Sequence, residues 1–302
     1  MLFSPDFYEY FSTVSPVLEA DETLFVVSAW NDNGFKGKVA DPAALLRTEF
    51  FPGLGWLLPR ALYTQELEGR WPSEHWDHWL RSPQVHKGRE VVYPQVELTL
   101  TLRLSLSLTL TLPQVPRSFH NGVRGTFMNL ETHNRYFRDI AYNTDASVSW
   151  PGAPGPHYDA RPAWAWAESE VYEARVQGLL RSCTHPPSVK ALMEGVVSSA
   201  RTGGGIFCVW IDVAPDGDGY RPPPFEPIAR FFGLWHEHKR GAHRGLHEFY
   251  FRGSYVLLLN AFEGSPDPNP DRRGARSYRL QRPEAAPLLP PRDFDIRLQY
   301  IK

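Results

Sequence analysis

The sequence predicts an α/β protein in which helices pack against buried strands. Residues 6–18 carry apolar side chains at helical spacing, and Pro5 fits the first turn of a helix. Residues 23–30 form a largely apolar run rich in β-branched and aromatic side chains, and the polar sequence of residues 31–34 follows it. Such a run is typical of a buried strand that ends in a turn. A helix followed by a buried strand fits a layered α/β architecture.

The same two signals predict further elements along the chain. Helices are predicted over residues 59–67, 72–81 and 168–180, and strands over residues 205–213, 247–252 and 254–261. Ser73 is the expected N-cap of the second of these helices, and Pro83 is its expected stop. The tail after Gly264 is rich in Pro and Arg and is expected to pack loosely.

Residues 97–112 have an unusual pattern, with Leu at every second position and mostly Thr or Ser between. Alone, this pattern predicts a strand or hairpin with one apolar face. The tripeptide Pro-Gln-Val stands on both sides, at residues 94–96 and 113–115, so that removal of residues 97–115 leaves a continuous sequence. We therefore interpret residues 97–115 as an insertion.

Composition limits the possible partners. The formal net charge is −2, without the broad basic field that dominates binding to nucleic acid, so nucleic acid is not an expected partner. The longest apolar stretches are far shorter than the roughly 20 residues that span a bilayer. Cys183 and Cys208 are the only cysteines. Their spacing is not that of a zinc site, and one disulfide or two free thiols are equally open.

One carboxylate stands among aromatic residues in a short predicted helix. Trp76, Trp79 and Leu80 share a face at helical spacing, and Asp77 lies beside that face. A partly desolvated carboxylate in such a place can act as a general base. The simpler interpretation is that Asp77 pairs with Arg81 four residues later and that the tryptophans belong to the core.

Two further segments have both a structural and a functional interpretation. Residues 31–34 read Asn-Asp-Asn-Gly, a common turn sequence, but they follow a buried strand, where α/β sheets bind ligands. Residues 243–245 read His-Arg-Gly and either bind a phosphate or end a loop. None of these segments is specific by itself.

Taken together and in order, the motifs resemble one enzyme family. The sequence is similar to the β-1,2-N-acetylglucosaminyltransferases, most strongly over residues 5–125 without the insertion and more weakly to residue 245 and the strands beyond. The segments that carry the resemblance are Ser-Ala-Trp-Asn-Asp-Asn-Gly at 28–34, Phe-Pro-Gly-Leu-Gly-Trp at 51–56, Trp-Asp-His-Trp-Leu-Arg at 76–81 with Gly-Arg at 88–89, and Arg-Ser-Phe-His-Asn-Gly at 117–122.

The resemblance implies a fold, a reaction and a set of site residues. The implied fold is the C-terminal part of a GT-A nucleotide-sugar transferase domain, residues 1–125, followed by a smaller α+β domain, residues 126–302. The implied reaction transfers N-acetylglucosamine from UDP-GlcNAc, with inversion, to O2 of an α-mannose on a glycoprotein glycan. Asp77 matches the family's catalytic base. The residues expected to bind donor or acceptor are Trp76, Gly53, Leu54, Gly55, Trp56, Asn31, Asp32, Arg117, Ser118 and His120.

The family's metal-binding motif is not found in the sequence. That acidic motif holds Mn²⁺ against the diphosphate and would lie just before Met1, as would the membrane anchor that places these enzymes in the Golgi lumen. The chain is therefore expected to be an N-terminally truncated protein, inactive alone, with no metal ligands of its own. A non-catalytic fragment that binds glycans or a partner is the alternative. The motifs leave the acceptor open between an N-glycan and O-linked mannose, with a modest preference for the N-glycan.

Overall fold

The structure is a computed structural model that describes residues 2–96, 99–100, 162–214, 224–261 and 282–300. Most of the interpreted insertion at 97–115 lies outside these ranges, and so do Arg117, Ser118 and His120. Within the described ranges, no helix combines the length and the apolar character needed to cross a bilayer.

The described elements are a mixture of helices and strands, as expected for an α/β protein. The helices are α1 (Phe7–Val14), α2 (Val17–Ala20), α3 (Arg60–Leu62), α4 (Trp76–Leu80), α5 (Pro83–His86), α6 (Ser169–Ser182), α7 (Val189–Ser199) and α8 (Glu226–Phe232). The strands are β1 (Leu2–Phe3), β2 (Leu24–Ser28), β3 (Leu45–Thr48), β4 (Trp56–Leu57), β5 (Glu90–Pro94), β6 (Thr99–Leu100), β7 (Ile206–Ile211), β8 (Leu246–Phe251) and β9 (Ser254–Asn260). Strands β1 and β6 form a separate two-stranded antiparallel pair.

A four-stranded mixed sheet has the order β3-β5-β2-β4. Its central strands β2 and β5 are parallel, and the outer strands are antiparallel to them. Val92 faces a cluster with α1 and α2, whereas the neighbouring Val91 faces a cluster with α3, α4 and α5. Both faces of the sheet are therefore covered, which is why β2 and β5 are buried along their whole length.

A three-stranded sheet in the second half of the chain has the order β7-β9-β8, with β7 and β9 parallel and β8 and β9 antiparallel. Helix α6 packs on one face, and α7 and α8 pack on the other. Leu46 and Tyr93 of the first sheet belong to the same buried cluster as Tyr172 and Trp210. Apolar side chains from both halves thus share one core, while the division at residue 125 stays a prediction.

Two sequence-based expectations about local structure are wrong, and a third is confirmed. The helix predicted over 6–18 is split into α1 and α2 around Ser15 and Pro16, because a proline cannot donate the backbone hydrogen bond that a helix interior needs. Helix α4 begins at Trp76 after His75, not after Ser73. Helix α4 does end shortly before Pro83, as expected, and Pro83 also stands at the first position of α5, where its missing N–H costs nothing.

The tail expectation also fails for the residues that the structure describes. Ala286, Leu289 and Phe294 are buried, and the backbone N–H of Leu289 donates to the carbonyl of Trp210 at 2.8 Å. The tail packs against β7 because these apolar side chains complete the clusters on both faces of the second sheet.

The alternative left open for the cysteines is decided by the structure. Cys183 and Cys208 form a disulfide with their Cα atoms 5.6 Å apart. It joins the residue after α6 to β7, so it anchors this helix to the second sheet.

The side chain of Arg47 on β3 is almost completely buried and donates hydrogen bonds to four other residues. Its guanidinium donates to Glu90 Oε2 at 2.7 Å, to Asp21 Oδ2 at 2.7 Å and to Thr23 Oγ1 at 2.7 Å. It also donates to the backbone carbonyl of Ala167 at 2.6 Å. Arg47 therefore ties β3 to the starts of β2 and β5 and to the second half of the chain.

Removal of the Arg47 charge should destabilise the fold strongly. Arg47→Met leaves two carboxylates without this partner, Glu90 fully buried and Asp21 nearly so, so we expect the free energy of unfolding to fall by about 3–5 kcal/mol in urea titrations. Arg230→Met is the matched control, because the Arg230 side chain is 56% exposed in its ion pair with Glu226. That control should change stability by less than about 0.5 kcal/mol. Equal effects of the two substitutions would contradict a central role for Arg47.

Burial favours the neutral form of three histidines in the second half, of which His243 and His247 are buried and His238 is half-buried. His238 and His247 lie with ring centroids 4.9 Å apart, and His247 stacks on Phe225 at 5.3 Å. Burial lowers the pKa of His238 to about 4 and that of His247 well below its usual value. Burial likewise lowers the pKa of His243 to about 4, although Glu90 lies 3.5 Å from its Nδ1.

Stability should therefore fall in mild acid. A histidine whose folded pKa lies below its unfolded value near 6.5 binds fewer protons when folded, so its contribution is complete above pH 6.5 and is lost as pH falls towards 4. We expect each such histidine to add about 1.4 kcal/mol per pH unit to the slope of unfolding free energy within this window. His247→Gln should flatten the slope, whereas His75→Gln, at an exposed position, should leave it unchanged.

Candidate functional site

The carboxyl ends of the two parallel central strands meet at one edge of the first sheet. Asn31, just after β2, donates from Nδ2 to the carbonyl of Gln95, just after β5, at 2.6 Å. The Gln95 side chain in turn accepts from the backbone N–H groups of Ala40 and Asp41 at 2.8 and 2.9 Å. Open α/β sheets bind ligands at this edge.

The segment 31–34 is both a turn and a part of this edge. The Asn31 side chain accepts from the N–H of Asn33 at 2.8 Å, which is the hydrogen bond of an Asx turn. Asn33 then donates to the carbonyl of Arg240 and accepts from the N–H of Trp235. The turn thus fastens the segment around residues 235–241 of the second half to the end of β2.

The glycine-punctuated loop is attached to the same strand end. Gly53, Leu54 and Gly55 have φ angles of 79°, 42° and 66°, which form a left-handed turn. The carbonyls of Gly53 and Gly55 accept from Ser28 Oγ at 3.1 Å and from the N–H of Ala29 at 2.7 Å. A glycine suits such an angle, whereas Leu54 is strained there by roughly 1–2 kcal/mol. The loop places Trp56 opposite Ser28 as the start of β4.

Trp76 lies within a wall of partly exposed aromatic rings. Its ring centroid is 5.9 Å from that of Trp56 and 6.3 Å from that of Trp71, on which it stacks. Phe51 contacts Trp76 edge-on from the side of the core, with the two ring centroids 6.2 Å apart. Trp79 packs against the same cluster, and Leu80 is buried within it. The face predicted from helical spacing is confirmed, and the wall it forms is a flat apolar surface of the kind that a sugar ring can cover.

Asp77 lies beside this wall and forms an ion pair. Its Oδ2 accepts from Arg81 Nη1 at 2.9 Å, with 37% of the Asp77 side chain exposed. The Nε of Arg81 donates to the carbonyl of Phe51 at 2.9 Å, which fixes the guanidinium. Burial opposes ionisation, but Arg81 and His78 hold the pKa of Asp77 below its usual value. The ion pair of the simpler interpretation is present, and it leaves the carboxylate charged and reachable from solvent.

Asp32 has the opposite environment. It is buried, and its Oδ1 lies 3.3 Å from both Trp30 Nε1 and Arg240 Nη1. Its Oδ2 has no hydrogen-bond partner among the described residues. Burial raises the pKa of Asp32, while the charges of Arg240 and Arg81 act against that rise. Asp32 is therefore placed to hold Arg240, and its contact with donor or acceptor stays a prediction.

Arg81 and Arg240 approach each other across Phe50. Their guanidinium carbons lie 4.7 and 4.8 Å from the centroid of that ring, within the range of a cation–π contact. Arg240 is also paired with Glu237 Oε2 at 2.5 Å. Neither Phe50 nor Arg240 is among the site residues predicted from the sequence. The only sequence feature that marks Arg240 is the dibasic pair Lys-Arg at 239–240. This pair does not indicate that Arg240 lies close to Phe50 in the folded chain.

Residues 243–245 do not take part in this site. Arg244 lies 2.7 Å from Glu173 and 3.2 Å from Glu90, so its charge is already neutralised. Arg244 and Gly245 have φ angles of 51° and 82°, and His243 and Leu246 bond to each other across the turn. Of the two interpretations, the structure favours a loop end over a phosphate site.

The described residues do not fit a manganese ion. Their single cluster of metal-ligating side chains is Cys183, His185 and Cys208, and two of these are joined in the disulfide. Mn²⁺ prefers carboxylate, carbonyl and water oxygens, which this cluster lacks.

Comparison with known proteins agrees with the motifs. The model of the GNT-I family matches residues 1–105. A relative from Arabidopsis thaliana, named alpha-1,3-mannosyl-glycoprotein 2-beta-N-acetylglucosaminyltransferase, is 32% identical over 221 residues, or 71% of this chain. The chain belongs to the GNT-I family.

The aligned region is 45% of that relative, so this GNT-I family member spans about half the length of the curated protein it matches. The family match includes the first sheet, the aromatic wall and Asp77 with Arg81. Arg240 lies beyond it.

The ion pair with Arg81 should control the titration of Asp77. Burial alone raises a carboxyl pKa, so Arg81→Gln should raise the pKa of Asp77 towards or above its ordinary value of 3.8. Carbon-13 NMR of the Asp77 carboxyl carbon across a pH titration measures this directly. Arg60→Gln, at an exposed position on α3, should leave that pKa unchanged. No difference between the two variants would show that the pair is too exposed to matter.

Proposed function

We propose that this GNT-I family protein is an inverting β-1,2-N-acetylglucosaminyltransferase, with a fold of the GT-A type. Its donor is UDP-GlcNAc, and its acceptor is O2 of an α-mannose on a glycoprotein glycan. The observation that carries the proposal is the position of Asp77, a charged and partly exposed carboxylate beside a tryptophan wall next to the sheet edge where α/β proteins bind ligands. Family membership supports the same reaction.

In this proposal Asp77 removes the proton from the attacking mannose hydroxyl. Inversion needs a single in-line displacement, so one base on the acceptor side is sufficient. The lowered pKa keeps Asp77 deprotonated at neutral pH, although it also makes the carboxylate a weak base. This weak basicity is compensated if the site holds the mannose hydroxyl close to Asp77. Proton transfer between two positioned groups is effectively unimolecular and avoids the entropy cost of a bimolecular encounter. Arg81 holds the carboxylate in place at 2.9 Å, and Trp76 lies against the donor sugar.

The departing UDP must be stabilised by other groups. We assign this role to the segment with Arg117, Ser118 and His120. Mn²⁺ would supply a Lewis acid to the diphosphate, although none of the described residues would hold it. Asn31, Asp32 and the loop 53–56 shape the sheet edge on the donor side. The location in the Golgi lumen and membrane attachment through an N-terminal anchor belong to the same proposal.

The acceptor is proposed to be an N-glycan. The continuous segment 47–56, Arg-Thr-Glu-Phe-Phe-Pro-Gly-Leu-Gly-Trp, is the motif that favours it over O-linked mannose. The Arabidopsis relative is named as an enzyme of α-1,3-mannosyl glycoprotein, which agrees with this choice.

The test is transfer of labelled N-acetylglucosamine from UDP-GlcNAc, with Mn²⁺ present, to a mannose-terminated glycopeptide. Asp77→Asn removes the base but keeps the shape of the side chain, so transfer should fall by at least about 100-fold. Glu74→Gln is the matched control, because it makes the same chemical change three residues earlier at an exposed position. It should retain transfer within about two-fold.

Binding of UDP and of the glycopeptide should be measured alongside transfer, by calorimetry. Transfer that survives Asp77→Asn would remove Asp77 from the role of base. Transfer by the unaltered chain would contradict the expectation that it is inactive alone. Glycan binding without any transfer would instead favour the alternative of a non-catalytic glycan-binding protein.

A further inference from the structure

The disulfide region contains three side chains suited to a soft metal ion. The ligand atoms of Cys183, His185 and Cys208 all lie within 4.8 Å of one another. His185 Nε2 is 3.8 Å from Cys183 Sγ, and His185 Nδ1 is buried without a hydrogen-bond partner among the described residues. The first sheet and the aromatic wall do not contribute to this cluster.

The backbone holds these three residues in place independently of the disulfide. The N–H of Thr184 donates to the carbonyl of Ile206 at 2.8 Å, and the N–H of Cys208 donates to the carbonyl of Thr184 at 2.9 Å. Residues 183–185 therefore run beside β7 as a short parallel extension of the second sheet. Cys183 has an extended backbone, with φ −77° and ψ 154°. In an extended chain residues two apart point to the same face, which explains why Cys183 and His185 meet Cys208 together.

We propose that Cys183, His185 and Cys208 form a zinc site when the disulfide is reduced. In the first step a dithiol reductant gives two electrons and two protons to the disulfide, which yields two cysteine thiols and the oxidised reductant. In the second step Zn²⁺ binds both sulfurs and the neutral imidazole, and the two thiol protons are released. The end of α6 and strand β7 are then joined through the zinc ion instead of through the disulfide.

The chemistry of the three groups selects zinc. Two thiolates and one imidazole are the ligands of tetrahedral zinc sites in which the fourth position is open to water. At Zn–S distances of about 2.3 Å, tetrahedral ligand atoms lie roughly 3.8 Å apart. The ligand atoms of the three residues lie within 4.8 Å of one another. To bind zinc, the two sulfurs must move apart, and each distance from the imidazole to a sulfur must shorten by about 1 Å at most.

Cobalt is the spectroscopic probe for this site. The full chain is reduced with a phosphine, and one equivalent of Co²⁺ is added without oxygen. Reduced protein should develop sulfur-to-cobalt charge-transfer absorption and the d–d bands of tetrahedral cobalt, both of which Zn²⁺ removes. The oxidised protein and the double variant Cys183→Ser, Cys208→Ser should show neither. His185→Gln should weaken binding at least about 10-fold, whereas the control His75→Gln should not change it.

Thermal stability gives a second measurement that does not depend on the colour of a cobalt complex. Zn²⁺ should raise the Tm of the reduced protein and leave that of the double serine variant unchanged. If reduction unfolds the region, Zn²⁺ should restore its circular dichroism. The proposal is overturned if reduced protein binds Co²⁺ no better than the double variant, or if His185→Gln binds as tightly as the unaltered chain.

Discussion

The buried guanidinium of Arg47 is the interaction on which the rest of the structure depends. It contacts Asp21 before β2, Glu90 at the start of β5 and the carbonyl of Ala167 from the second half. These contacts fix the starts of the parallel strands β2 and β5 relative to each other. The carboxyl ends of the two strands therefore lie side by side at the same edge of the sheet. Asn31 and Gln95 can bond across those ends only because this register is set. Because a buried charge without its partners is costly, the network favours the arrangement of the two halves in which all of these contacts are made.

The two carboxylates near the sheet edge have different environments and therefore different roles. Asp77 is partly exposed and paired with Arg81, which favours its charged form. Asp32 is enclosed, and burial favours its neutral form despite the nearby Arg240. The guanidinium groups of Arg81 and Arg240 both contact Phe50, so the two halves of the chain meet beside the ion pair of Asp77. A chain with only the first sheet would keep Asp77 and Trp76 but lose the charge of Arg240.

Backbone strain is present in the segments around the aromatic wall. Leu54 and His75 both have positive φ angles, at 42° and 54°, that side chains rarely adopt. Leu54 lies in the turn that leads to Trp56, and His75 directly precedes Trp76 on α4. Each strained residue thus lies within two residues of a tryptophan of the aromatic wall, Trp56 or Trp76. Strain of this kind persists where the surrounding contacts over-determine the backbone, as the bonds from Ser28 and Ala29 do for the loop.

Local patterns in the sequence determined the α/β class, the buried strand β2, the tryptophan face of α4 and the pair of Asp77 with Arg81, because each depends on residues close together along the chain. Tertiary structure alone decided the contact of Arg240 with Phe50 and Asp32, about 200 residues apart. It also decided the disulfide, whose cysteines are 25 residues apart, and the proximity of His185 to both sulfurs. Spacing along the chain carries no information on such contacts, because the folded backbone brings these residues together.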